Sequence, residues 1–209
     1  MSHHPDVAES WASIREWLGQ HAPAVLAMLN PPADDADLDR AERATGVALP
    51  ADLLAWWRLA NGTDGRSNLL PPWYSPYPIT QALESRRIWL EVWHDEETRV
   101  FPDLPGVREY IDGLLKTPAG TPCQDMWLPV WLPVAGSGGG QDLFVDLRPG
   151  PLHGCVMEFD RVGAAGAAPL WPNVRAMLAA VADAFEQGST VVGRFPVALE
   201  ADDGRINWH

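Results

Sequence analysis

Apolar residues in the first half of the chain recur with a period of about 3.6, the spacing of one helix face. Trp11, Ile14 and Leu18 fall at i, i+3 and i+7, with Trp17 beside them, which predicts a first helix. Pro23 tolerates a first helical turn and opens a short stretch over Ala24–Leu29, which Asn30-Pro31-Pro32 stops. Asp34 or Asp35 can cap a third helix with Leu38, Ala41 and Thr45 inside and Gly46 at its left-handed end. Leu49-Pro50 opens a fourth, with Leu53, Leu54 and Trp57 on one face, ended by Asn61-Gly62. Residues 63–78 are rich in Pro, Ser, Tyr and Gly and read as loop. Thr80 can cap a fifth helix running to about Glu97, with Leu83, Leu90 and Trp93 on one side. Val107, Tyr110, Ile111 and Leu114 continue the helical spacing between two proline-bearing loops and read as an insertion.

The period then drops to 2. In Trp127-Leu128-Pro129-Val130-Trp131-Leu132-Pro133-Val134 the even positions are aliphatic, and the other face holds two tryptophans and two prolines. This predicts a strand, at an edge because proline gives no ladder donor. Gly136–Gly140 is a turn, Leu143–Leu147 a second strand, Arg148-Pro149-Gly150 another turn, and Cys155–Phe159 a third strand. These three suit an antiparallel meander. Pro172 opens the clearest helix: Val174, Met177, Leu178, Val181 and Phe185 share one face, and Gly188 ends it. A closing hairpin is expected from Phe195–Leu199, a turn at Asp202-Asp203-Gly204, and Arg205–Trp208. Helices, then strands, then helix predicts an α+β fold, an antiparallel sheet packed against helices, in a single domain over residues 1–209.

Charge narrows the partners. The formal net charge is −13, with 28 Asp and Glu against 15 Lys and Arg. That excludes a broad phosphate-neutralising face, so neither nucleic acid nor an anionic membrane is expected as a partner. No apolar run approaches the roughly 20 residues of a membrane span, and Met1–Asp6 has no basic and apolar leader pattern, so a cytoplasmic location is expected. Two cysteines, Cys123 and Cys155, are too few for a disulfide framework and read as reduced thiols.

The order of motifs resembles the SUKH superfamily. Leu38, Ala41-Glu42, Gly46, Leu49-Pro50, Leu53-Leu54 and Asn61-Gly62 match its helical half. Trp127-x-Pro129-x-Trp131-x-Pro133-Val134, a glycine-rich turn, Leu143-x-x-Asp146-Leu147-x-x-Gly150 and Gly154-x-Val156 match its sheet. Asp203-Gly204-Arg205 before Trp208 is similar to the C-terminal extensions of some bacterial members. The resemblance covers a core of about residues 10–187, with an insertion at about 99–126 and an extension at 188–209. Two features depart from the family pattern: the long segment from Arg99 to Met126, and the unusual glycine content of Gly136–Gly140. The resemblance implies a SUKH-like fold and a protein-binding module without catalysis. It further implies a bacterial immunity protein that neutralises a cognate toxin, such as a nuclease or deaminase, with a basic surface. The alternatives are a regulatory scaffold like the fungal cell-wall-assembly regulators, or a carboxylate-dependent hydrolase.

No residue pattern points to catalysis, a cofactor or a metal. His21, His94, His153 and His209 lack ligand spacing with one another or with the cysteines. Gly136–Gly140 has no Gly-Lys-Ser/Thr ending and lies between strands, unlike a phosphate loop. Gly136-Ser137-Gly138 misses the spacing of a nucleophile elbow. Expected protein-binding residues are the acidic Asp35, Asp39 and Glu42 of the third helix, and the aromatic Trp73, Tyr74, Trp127 and Trp131. Asp142 and Asp146, carboxylates in an apolar strand, complete the set. Acidic residues steer onto basic partners, and aromatics anchor with little entropic loss.

Overall fold

The computed structural model describes residues 5–100, 107–124, 126–198 and 206–209. Local signals set the first helices. α1 (Val7–His21) starts at Asp6, whose carboxylate accepts the Glu9 N–H while Glu9 reaches back to the Asp6 N–H, a reciprocal cap. α2 (Pro23–Ala27) begins on the predicted proline. α3 (Asp35–Thr45) is capped by Asp34 and ends on Gly46 at φ +73°. α4 (Ala51–Trp57) follows Pro50. α5 (Ile79–Val100) starts one residue before Thr80, because the Asn61 side chain accepts the Ile79 N–H at 2.8 Å and serves as the cap. α6 (Val107–Lys116) is the predicted inserted helix. α7 (Val174–Gln187) is capped by Asn173 and stopped by Gly188 at φ +65°.

The sheet is antiparallel with order β1-β2-β3-β4: β1 (Ser75–Pro76), β2 (Trp131–Gly136), β3 (Gln141–Asp146) and β4 (Cys155–Asp160). β1 lies within the stretch expected to be loop. β2 starts at Trp131, not Trp127, because the Trp131 N–H closes a turn onto the Leu128 carbonyl. Trp127 therefore belongs to the approach to the sheet. β2 is also an inner strand rather than an edge, since β1 pairs with its last two residues, Ala135 and Gly136. Pro133 sits where the ladder is irregular, so its missing N–H interrupts no β1 bond. The closing hairpin is β5 (Pro196–Ala198) paired with β6 (Ile206–Trp208); the expected turn at 202–204 lies outside the described residues.

Both sheet faces are buried. On one, Leu132, Leu143, Val145 and Val156 join a large core with Trp11, Ile14 and Leu18 of α1, Leu53 and Trp57 of α4, and Met177, Leu178 and Val181 of α7. On the other, Trp131, Phe144, Met157 and Phe159 join Trp127, Leu128 and Cys155. Trp89, Leu90 and Trp93 of α5 and Leu114 and Leu115 of α6 close this second core. Trp127 stands edge-to-face with Trp131 at 5.5 Å and Phe159 at 4.9 Å. The inserted helix thus roofs a second hydrophobic layer, and the fold is a sheet between two helical layers.

Candidate functional site

Three carboxylates on β3 and β4 organise the polar chemistry of the interior. Pairing places Asp146 opposite Trp131 and Cys155, on the face shared with Phe144. Both Asp146 and Arg148 are fully buried. Arg148 Nε lies 3.1 Å from each carboxylate oxygen and Nη2 lies 2.6 Å from Oδ2. Nη1 donates to Thr117 Oγ1 and Nη2 to the Thr121 carbonyl, each at 2.6 Å. Asp146 also accepts the backbone N–H groups of Gly120 and Arg148. The guanidinium carbon lies 5.6 Å from the Trp131 ring centre. This satisfied pair ties the 117–121 segment after α6 to the end of β3.

Asp142 faces the same side of the sheet, near the opposite end of β3. It accepts from Tyr77 Oη at 2.8 Å, Ser85 Oγ at 2.5 Å and Trp89 Nε1 at 2.7 Å. Gly136 makes room: a Cβ there would lie 1.7 Å from Tyr77 Oη. On the other face Tyr74, fully buried, donates to Glu158. Burial and these carboxylates push both tyrosine hydroxyls well above the usual phenol range. Burial likewise raises the Asp142 carboxyl above its ordinary value, against the opposing pull of Ser85, Trp89 and Tyr77. The folded chain thus holds that proton more tightly than the unfolded chain. The associated stability is complete below the ordinary value of 3.8 and is lost as pH rises through the raised value. Asp142→Asn is expected to keep stability within about 1 kcal/mol, since its amide can donate to Tyr77 and its carbonyl accept from Trp89. It should also remove this part of the pH dependence. Asp142→Leu strands the Trp89 N–H and should cost at least about 2 kcal/mol. Urea unfolding of the wild type and both variants between pH 4 and 7 checks both statements.

The expected binding residues divide by placement. Asp35 and Asp39 are exposed on α3, where Arg58 and Arg43 pair with them at 3.5 and 3.9 Å. Glu42 is half-buried and accepts the Leu49 N–H at 3.1 Å, so it shapes the turn into α4. Trp73 is 42% exposed and donates to Gln141 Oε1 at 3.3 Å. Tyr74, Trp127, Trp131, Asp142 and Asp146 are buried within the protein and offer no surface to a partner in this structure. For Trp127, Trp131, Asp142 and Asp146 the reason is the second core: a face expected to be open is covered by α5 and α6, while Tyr74 is buried in the main core on the other face. The sequence reading missed Arg148, Ser85 and Glu158. The one available signal was the four-residue spacing of Ser85 and Trp89, which puts both on one helix face.

Reactive chemistry is muted. Cys123 and Cys155 are buried and free, and burial, with Asp146 adding to it, pushes the Cys155 thiol up to about 12. Among the described residues no group of three or more His, Cys, Asp or Glu is placed to hold a metal ion. Among the same residues no helix is long and apolar enough to cross a membrane.

A family model described as SMI1 / KNR4 family (SUKH-1) matches residues 32–180, from the start of the α3 region into α7. The chain belongs to the SMI1 / KNR4 (SUKH-1) family. No curated protein matches it. The SUKH-1 match takes in α3 to α6, the whole four-stranded sheet and half of α7. α1 and α2 precede it, although α1 packs directly on α7 and contributes Trp11, Ile14 and Leu18 to the main core. β5 and β6 follow it, and Trp208 of β6 stacks on Phe185 of α7 at 5.6 Å. α1 and β6 are thus packed onto the rest of the protein.

Proposed function

We propose that this SUKH-1 protein is a non-catalytic protein-binding module and, more narrowly, a cytoplasmic immunity protein that covers a toxin domain with a basic surface. Membership in the SUKH-1 family over residues 32–180 carries this reading. The net charge of −13 supports it, because an acidic protein is drawn toward a cationic nucleic-acid-binding surface. The exposed carboxylates Asp35 and Asp39 on α3 and the half-exposed Trp73 are the contacts we assign to the partner. Free Cys123 and Cys155 suit a reducing compartment.

Affinity capture with the full chain as bait should recover one basic polypeptide in stoichiometric amount. Expressing that polypeptide alone should arrest growth, and co-expressing this chain should restore it. A stoichiometric partner without toxicity would favour the regulatory scaffold. Substrate turnover by the purified chain would overturn the reading altogether. For the captured pair, Asp35→Asn with Asp39→Asn should slow association roughly 3–10-fold at low salt and leave dissociation nearly unchanged, as expected of rim charges. Stopped-flow or surface-plasmon kinetics at two ionic strengths would check this.

A further inference from the structure

A cavity of about 170 Å³ opens where β1, the β2–β3 turn and the start of α5 meet. Its walls include Arg66, Ser75, Tyr77, Gln81, Ser137 and Gly138. In a chain with 28 acidic residues, no acidic side chain lines it.

The lining is rich in unspent donors. Arg66 is exposed and donates from Nη2 to the Ser137 carbonyl at 3.0 Å; no carboxylate among the described residues is within ion-pair reach of it. Ser75 Oγ accepts the N–H groups of Ser67 at 2.9 Å and Asn68 at 3.2 Å. Both its lone pairs are then engaged, and only its proton is left to give. Ser137 Oγ accepts from Gly139 at 3.0 Å and also keeps its proton. Gln81 lies in the first turn of α5, so the positive end of that 22-residue helix meets the cavity. Arg161 lies against Gly140 at the far end of the turn, also without a carboxylate in reach among the described residues, and adds positive potential there. Asp142 stands behind the wall with Oδ1 engaged by Tyr77.

We propose that Arg66, Ser75 and Ser137 form a recognition site for the C-terminal carboxylate of a polypeptide partner. This rests on the protein-binding reading above. A single guanidinium in the lining matches the charge and planar shape of a carboxylate, and two hydroxyl donors complete it. In a protein this acidic, the site sets orientation: the partner's basic surface is attracted everywhere, and its carboxylate is accepted at one place.

The test is an amide-shift titration of the full chain, isotopically labelled, at constant ionic strength. The probes are acetyl-Ala-Ala-Ala with a free C-terminus, the same peptide amidated, and sodium succinate. The free-acid peptide should shift the amides of residues 137–140 and the Arg66 side-chain N–H saturably, and the amidated peptide should not. Arg66→Gln should weaken binding at least about fivefold and Ser137→Ala about twofold, while Arg15→Gln on α1 leaves it unchanged. If succinate saturates the same amides and the acid peptide does not, the occupant is a free small carboxylate and the polypeptide assignment falls. Equal shifts from the amidated peptide, or none by about 50 mM, would overturn the site itself. A captured partner that binds Arg66→Gln as tightly as wild type would remove this site and leave the protein-binding reading standing.

Discussion

Arg148→Met is expected to destabilise the protein by about 3–5 kcal/mol. The reason is the charge left behind. Asp146 is fully buried, and without the guanidinium it keeps only the Gly120 and Arg148 backbone donors. Thr117 Oγ1 and the Thr121 carbonyl lose their donors at the same time. The damage should be local before it is global: hydrogen exchange is expected to speed up over residues 117–124 at denaturant concentrations where α7 remains protected. The double variant Asp146→Leu/Arg148→Met should recover most of the loss, because it removes both buried charges together. Urea midpoints for the two single variants and the double variant close the cycle. A single-variant cost below about 1 kcal/mol would mean that the pair contributes nothing to holding the insertion.

Gly62→Ala is expected to cost more than about 4 kcal/mol, and Gly46→Ala only about 1 kcal/mol. The two glycines have nearly the same backbone, φ +70° and +73°, so the intrinsic cost of placing a Cβ there is shared. Their surroundings differ. A Cβ on Gly46 meets nothing within 4 Å. A Cβ on Gly62 would lie 2.2 Å from the Pro78 nitrogen and 2.3 Å from the Tyr77 carbonyl carbon. Those are backbone atoms held by the Tyr77 N–H bond to Val134 and by the Asn61 cap on α5, so they have nowhere to go. The difference between the two variants, read by thermal or urea unfolding, isolates steric contact from backbone preference. Equal costs would show that the path from α4 to α5 is looser than described.

Much of the architecture was legible because it depends on local rules. Asp34, Gly46, Pro50 and Gly188 mark helix ends through hydrogen-bonding and φ preferences that neighbours cannot override. Alternation placed β3 and β4 within a residue or two of their observed ends. The polar interior was not legible. Asp142 is met by Tyr77, Ser85 and Trp89, which come from 53 to 65 residues away, and no local pattern encodes that meeting. The same limit led to Trp127 and Trp131 being expected on a binding surface. Their strand pattern states only that one face holds tryptophan and proline. Whether that face meets solvent depended on where α5 and α6 pack, which is tertiary information.

With both sheet faces sealed, change at the rim and change in the interior are separate problems. Exposed positions such as Asp35 and Asp39 of α3 and Asp64 and Trp73 of the 63–78 loop can vary in charge and shape while Tyr74, Trp131, Phe144, Phe159 and the Asp146–Arg148 lock stay as they are. Substitutions confined to that thin outer margin can therefore remodel what the molecule presents to solvent without reopening the folding problem.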